Sequence, residues 1–159
     1  MVYDLLTVGA RMQAVRDRLA AEMGVTGPQY AILMAIAHLQ DEEGGAGVRA
    51  VARRLHVSGP FITAQVNRLV AAGLVAKRPD PEDGRGVILR LTGLGESRLG
   101  MLAPEIQRAN DTFFGPLTAE EFRILGGLAA RLETSSELAA QAAAPSSGTR
   151  EHGNSRKTA

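Results

Sequence analysis

The segment SGPFITAQVNRLVAAG, residues 58–73, carries side chains that suit the base edges of duplex DNA. Projected as a helix at about 100° per residue, it places Ile62, Val66 and Leu69 on one side, which must pack against the protein. The opposite side holds mostly short or hydrogen-bonding residues, namely Pro60, Phe61, Thr63, Ala64, Asn67 and Arg68. A helix enters the major groove only if large side chains do not block its exposed face. This pattern therefore predicts a DNA-reading helix.

The exposed face offers several kinds of base contact. Asn67 can pair with adenine, and Arg68 can fork onto guanine or hold a phosphate. Thr63 or Ala64 can touch a thymine methyl group. Which residue meets which base is left open. A different class of function is also left open, in which the same polar residues lie on a winged helix that binds only another protein.

A second helix and a hairpin are predicted around this face. A short helix precedes it, with a buried side set by Val48, Val51, Ala52 and Leu55. Ser58 is a good N-cap for the reading helix, Pro60 lies in its first turn, and Gly73 ends it. Strands follow at residues 74–78 and 87–91, with the turn formers DPEDGRG between them. Helix, turn, helix and hairpin in this order make a winged helix-turn-helix.

Further helices are predicted before this segment. Apolar spacing predicts a first helix over residues 3 to about 23. Thr26 and Gln29 form a capping box for a second helix over residues 27 to about 40. The sequence DEEGGAG, residues 41–47, lacks periodicity and is expected to be a connector.

Helices also follow the hairpin. Thr92 can cap a fifth helix, in which Pro104 is expected to produce a kink or break near Leu102. Thr118 and Glu121 form a second capping box, which opens a last helix that reaches about residue 140.

The order and spacing of the short helix, the reading helix, "GLV", "DPEDGR" and "LT..G" resemble those of the MarR family over about residues 1–138. The resemblance implies a mainly α fold with a small β-wing. This is a winged helix-turn-helix, residues 47–93, with flanking dimerisation helices at 1–23 and 94–140. Residues 141–159 have little to bury and are expected to be a disordered tail. The expected activity is sequence-specific regulation of transcription, as a repressor.

The resemblance also assigns the wing to DNA. It implies that Arg85 reaches a minor groove while Asp83 orients the hairpin. The chemistry agrees, because a weakly hydrated guanidinium suits the negative potential of a narrow groove. The alternative is a surface salt bridge that only stiffens the loop and contributes about 0–1 kcal/mol.

Positive charge is concentrated in the predicted winged helix. Residues 47–93 carry eight Lys or Arg and three acids, a net charge of +5. Residues 1–46 carry three Arg and six acids, and residues 94–140 four Arg and seven acids, a net charge of −3 in each case. Phosphate contacts are predicted for Arg53, Arg54 and Lys77 or Arg78, and the cap residue Ser58 belongs to the same predicted surface. The alternative is chance clustering on a solvated face.

One reading helix contacts only a few base pairs, so regulators of this kind pair two such helices across a palindrome. The resemblance implies that the first and last helices interlock with those of a second subunit in an obligate homodimer. Candidate interface residues are Phe113, Phe114, Leu117, Leu125, Leu128 and Leu132. The alternative is that these helices pack within one chain.

Members of the family commonly release DNA when a small aromatic or lipophilic anion binds between the dimer helices and the winged helix. In this chain the candidate lining residues are Met12, Tyr30, Met34 and His38. The alternative interpretation takes the methionines and the tyrosine as core residues and His38 as a polar residue near a helix end.

Other function classes lack a supporting pattern. With no cysteine there is no disulfide or thiolate ligand, and His38, His56 and His152 lie on separate predicted elements, so no metal site is expected. No P-loop, nucleophile elbow or His–carboxylate set points to an enzyme, and no cofactor is expected. A membrane-spanning helix needs about 20 consecutive apolar residues, and every apolar run in this sequence is far shorter. The N-terminus lacks signal-peptide features. A cytoplasmic location is therefore expected.

Overall fold

The computed structural model describes residues 1–43, 45–80 and 86–143, and this part of the chain forms seven helices and three short strands. The helices are α1 (Val2–Glu22), α2 (Gly27–Glu43), α3 (Val48–Arg54), α4 (Gly59–Ala71), α5 (Gly93–Met101), α6 (Ala103–Phe114) and α7 (Ala119–Ala142). The strands are β1 (Ala46–Gly47), β2 (Val75–Pro79) and β3 (Val87–Leu91). The chain divides into two compact units, Met1–Phe113 and Phe114–Ala159.

The first unit contains an antiparallel sheet with the strand order β1-β3-β2. Val75 pairs with Leu91 at the base of the hairpin, and Ala46 pairs with Leu89 on the other side of β3. The prediction of a connector over residues 41–47 was therefore wrong at both ends, because α2 continues to Glu43 and β1 follows. A two-residue strand has no alternation to detect, and only its pairing with β3 defines it.

Helix α2 organises the core of the first unit. It contacts α1, α3, α4, β1 and β3. The largest fully buried side chains are Ile32, Leu33, Ile36, Val51, Ile62, Val66, Leu69, Leu74, Val75 and Leu89. Each contributes about 1.5–3 kcal/mol by leaving water. The predicted buried side of the reading helix is confirmed, since its three apolar residues all belong to this set.

Three helices of the first unit end in the same way. At the ends of α1 and α4, Gly24 and Gly73 adopt φ values of 71° and 72°. At the end of α3 the same left-handed position is taken by His56, with φ 52°. The His56 amide donates to the Arg53 carbonyl at 3.2 Å, and the Val57 amide donates to the Ala52 carbonyl at 3.1 Å. This is a Schellman ending, and it forms the turn between α3 and α4.

The predicted break in the fifth helix is confirmed. Helix α5 ends with Leu102 as its C-cap, and α6 begins at the next residue, with Pro104 in its first turn. Proline is tolerated there because the first amides of a helix have no partner within it. The Thr92 hydroxyl accepts from the Gly95 amide at 3.1 Å and donates to the Gly73 carbonyl at 2.6 Å. Thr92 therefore caps α5 and ties it to the end of α4.

The second unit is described through residue 143, and its main element is α7. Thr118 and Glu121 make the predicted capping box, since each residue's side chain accepts from the other's backbone amide, at 3.2 and 2.8 Å. These bonds lower the pKa of the Glu121 carboxyl, with the Thr118 backbone contact as the largest cause. Phe114 and Phe122 pack edge to face, with ring centroids 5.2 Å apart. Residues 144–159 of the predicted tail lie outside the described residues.

Candidate nucleic-acid interface

The reading helix predicted from the sequence is α4, and its start is well defined. The Ser58 hydroxyl accepts from the Phe61 amide at 3.3 Å, which confirms the predicted N-cap, and Pro60 lies in the first turn. Helix α4 packs on α2, α3 and β2. A further bond fixes it to α2, where the Gln29 side-chain amide donates to Gln65 Oε1 at 3.3 Å. Burial on one side and these contacts hold the other side of α4 in a defined direction.

That other side is exposed along its length. The six residues predicted to face DNA are all solvent-exposed in the chain, namely Pro60, Phe61, Thr63, Ala64, Asn67 and Arg68. Phe61, the one large apolar member, keeps 39% of its surface in water. The Thr63 hydroxyl donates to the Gly59 carbonyl at 3.0 Å, so its proton is used within the helix although the residue is exposed.

A contact that the sequence did not suggest joins α4 to the hairpin. Lys77 Nζ on β2 donates to Asn67 Oδ1 on α4 at 2.5 Å, and both side chains are exposed. An ammonium has three donors and no acceptor, whereas an asparagine side chain has one oxygen acceptor. The bond therefore engages one lone pair of the Asn67 oxygen and places a positive charge beside it, and no partner is described for the NH2 group.

Further exposed cations lie on α3 and β2, two elements that pack against α4. Arg53 and Arg54 are exposed at the end of α3, directly before the His56 turn. Arg78 is exposed next to Lys77 on β2. Exposed cations of this kind suit phosphate contacts, which set position rather than read sequence.

The tip of the wing lies outside the described residues. This applies to Asp83 and Arg85, the two residues that the sequence resemblance assigned to the wing. The strands that carry the tip are described, and β2 and β3 pair from Val75–Leu91 to Pro79–Val87. The hairpin prediction is therefore confirmed up to Pro79 and Val87.

The candidate effector residues have different surroundings. Met12 is exposed on α1, Tyr30 is buried on α2, and Met34 is partly buried on α2. Burial raises the pKa of the Tyr30 hydroxyl, an effect that the nearby Arg16 charge partly offsets. His38 is exposed, and its Nδ1 lies 2.9 Å from the Met34 carbonyl of its own helix. Within the described residues, no group of three or more His, Cys, Asp or Glu is placed to hold a metal ion.

Gln40 is a positioning residue that the sequence analysis missed. Its Oε1 accepts from the Leu91 amide at 3.0 Å, and its Nε2 donates to Glu96 Oε1 at 3.2 Å. One side chain at the end of α2 thus ties the base of the hairpin to α5. No sequence pattern signals such a residue, because its partners are 51 and 56 positions away.

Known proteins share this sequence pattern and this fold. A model of the MarR family matches residues 23–86. The uncharacterized HTH-type transcriptional regulator YdgJ of Bacillus subtilis is 29% identical over 80 residues, 50% of this chain and 49% of the relative. This chain thus matches about half the length of that curated relative.

Two solved structures extend the comparison over most of the chain. The PcaV transcriptional regulator of Streptomyces coelicolor, solved with its natural ligand, is 33% identical, with a TM-score of 0.63 over 80% of this chain and 90% of PcaV. The S. aureus MepR–DNA complex has a TM-score of 0.69 and 20% identity over 84% of this chain and 95% of MepR, a likeness in fold.

The fold and the exposed helix define a winged helix-turn-helix protein of the class found in transcriptional regulators. The chain belongs to the MarR family. Its family and fold are those of regulators rather than of enzymes. Over the part of the chain that the structure describes, no helix is long and apolar enough to cross a membrane.

Proposed function

We propose that this protein is a homodimeric, sequence-specific DNA-binding regulator of transcription that places α4 in the major groove. One observation carries the proposal. Helix α4 buries Ile62, Val66 and Leu69 and turns a continuous face of short and polar residues to solvent. A helix held rigidly on one side and unobstructed on the other is what the major groove accommodates.

Charge supports the same interpretation. The exposed cations on α3 and β2 lie on the elements that pack directly against α4. They can neutralise phosphates on both sides of a groove and release counterions, which provides most of the affinity for any duplex. MepR, which shares the fold, has been solved in complex with DNA, and this supports DNA binding by the present chain.

Two apolar surfaces support a homodimer that reads a pseudo-palindromic site. On α1 of the first unit, the exposed apolar residues include Leu5, Leu6, Val8, Met12 and Val15. On α7 of the second unit, they include Phe122, Ile124, Leu125, Leu128 and Leu132. Exposed large apolar side chains grouped on one helix are typical of association sites. A second copy that covers these residues would bring a second reading helix, and half-sites about one DNA turn apart suit such a pair.

We also propose that the protein is a repressor that a small aromatic or lipophilic anion releases from DNA. The ligand-bound structure of PcaV, the relative that is 33% identical, supports a ligand-responsive role. Met12, Tyr30, Met34 and His38 are the candidate contacts. Tyr30 carries a protonated hydroxyl, whose pKa burial raises further, and this hydroxyl can donate to an anion. No resident cofactor is part of this proposal, and its expected location is the cytoplasm.

The experiment that tests DNA recognition is selection of bound fragments from the genomic DNA of the source organism. The best fragment is then titrated at several salt concentrations with the wild type and with Arg68→Ala. An inverted repeat bound with a steep salt dependence, and bound more weakly by Arg68→Ala, is expected. The matched control is Arg123→Ala, which removes the same charge from α7 and should bind normally.

The opposite result has a defined meaning. If no fragment is enriched and binding stays weak and independent of sequence, the protein does not read DNA. The winged helix would then serve a protein partner, and loss of Arg68 should leave binding of that partner intact.

A further inference from the structure

We propose that Lys77 makes Asn67 a hydrogen-bond donor toward DNA, so that this pair selects guanine at one position of each half-site. The inference rests on the proposed function and specifies the base that α4 reads. It starts from the one side-chain bond described between the exposed face of α4 and β2, from Lys77 Nζ to Asn67 Oδ1 at 2.5 Å.

This bond fixes the polarity of the Asn67 amide. A free asparagine offers both an acceptor and two donors, and it can turn either toward a base. Here a positive charge holds the oxygen, and a charge-assisted bond is about twice as strong as a neutral one. A donor that approaches the same oxygen must also approach the ammonium, so the NH2 group is the favoured part of Asn67 for a base edge.

The residue one turn earlier offers no competing donor. Thr63 lies four residues before Asn67, on the same side of α4, and its hydroxyl proton is donated to the Gly59 carbonyl at 3.0 Å. The ammonium of Lys77 keeps two further hydrogens beside the amide. The Asn67–Lys77 pair therefore presents several donors, and its one amide oxygen already accepts from a cation.

The major groove distinguishes bases by the order of donors and acceptors. Guanine presents two acceptors, N7 and O6, whereas adenine presents the N7 acceptor and the N6 donor. The bidentate pairing of asparagine with adenine needs the amide oxygen to accept from N6. Because Lys77 holds that oxygen, the N6 group of adenine would face an ammonium, and the two acceptors of guanine match the pair better.

Lys77 is thus a positioning residue for Asn67 rather than only a phosphate contact. The two roles predict different results. A phosphate contact changes affinity for all sequences alike, whereas a residue that orients an amide changes which base is preferred. Arg78, the next exposed cation on β2, offers a matched control for loss of charge.

The test is selection of random-sequence duplexes by the full-length wild type, Asn67→Ala, Lys77→Met and Arg78→Met, with the enriched pools sequenced. We expect a guanine in each wild-type half-site that Asn67→Ala no longer selects. In Lys77→Met the guanine-to-adenine ratio at that position should fall about tenfold. A change of this size corresponds to the discrimination that one good base contact provides. Arg78→Met should weaken binding and keep the wild-type ratio.

Two results would overturn the inference while leaving DNA recognition intact. In the first, the wild type selects adenine at the position that depends on Asn67. In the second, Lys77→Met and Arg78→Met enrich the same bases as the wild type. If the wild type enriches no sequence at all, the proposed function and this inference both fail.

Discussion

Gly95 packs so close to the backbone carbonyl of Leu74 that no side chain fits between them. A β-carbon on Gly95 would approach the Leu74 oxygen to less than 3.0 Å, a distance that real β-carbons essentially never show. Leu74 leads from α4 into β2, and Gly95 lies in the first turn of α5. The absence of a side chain at position 95 therefore lets α5 pack on the segment that orients the reading helix.

Substitution of this glycine should destabilise the protein. Gly95→Ala must move backbone atoms, so we expect the free energy of unfolding to fall by about 1–3 kcal/mol in urea denaturation. Gly93→Ala is the matched control, because nothing lies within 4 Å of a β-carbon there. It should change stability by less than about 1 kcal/mol. Equal effects of the two substitutions would contradict the packing argument.

His56 should be sensitive to the shape of its replacement. Its positive φ suits glycine and opposes β-branched residues. Both His56→Gly and His56→Val lose the imidazole, so the difference in their stability reports the cost of a positive φ at this position. We expect His56→Gly to be more stable by about 1–2 kcal/mol in urea denaturation. If His56→Val is as stable as His56→Gly, the Schellman ending does not persist in solution.

Glu121 should give α7 a pH-dependent contribution to stability. Its folded-state pKa lies below the ordinary value of 4.5 because Thr118 donates to the ionised form. The contribution is therefore present above that value and is lost as the pH falls through the folded-state pKa. We expect Glu121→Gln to lower the thermal midpoint at pH 7, and the difference from the wild type to shrink toward pH 3.

The control for this prediction is Glu120→Gln, which removes an equal charge from the same helical turn. The difference in thermal midpoint between Glu120→Gln and the wild type should not shrink in the same way as the pH falls. If the thermal midpoint of Glu121→Gln differs from that of the wild type by the same amount from pH 7 to pH 3, the capping bonds do not depend on ionisation of Glu121.

The proposed dimer should depend on the apolar surface of α7. Leu128 keeps 48% of its surface exposed in the single chain. If a second copy covers it, Leu128→Glu buries a charge and should shift sedimentation toward the 16.8 kDa monomer. Arg123→Glu, on the opposite side of α7, should leave the dimer intact. A wild type that sediments as a monomer at all concentrations would contradict the dimer.

Arg85 should contribute to operator binding through the wing, as the family resemblance implies. We expect Arg85→Ala to weaken binding and to reduce the slope of log affinity against log salt by about one, if it contacts a phosphate-lined groove. Thermal stability should match the wild type. If Arg85→Ala binds the operator with unchanged affinity and has the wild-type unfolding midpoint, Arg85 does not contribute to the DNA interface.

Local patterns predicted most of the elements, because their causes are local. Ser58, Thr92 and the two capping boxes each act within one helical turn, and they begin α4, α5, α2 and α7 where expected. Pro104 ends a helix by its own covalent geometry. Apolar spacing identified the buried side of α4, since a rigid helix has only one side to bury.

The amino-acid sequence by itself thus determined the fold class, the order of the elements and the solvent-facing side of α4. Only the tertiary structure revealed β1, the ties made by Gln40, the close contact of Gly95 with Leu74, and the bond between Lys77 and Asn67. The reason is physical. Caps, breaks and amphipathic faces depend on residues a few positions apart, whereas these contacts form only after distant segments have packed together.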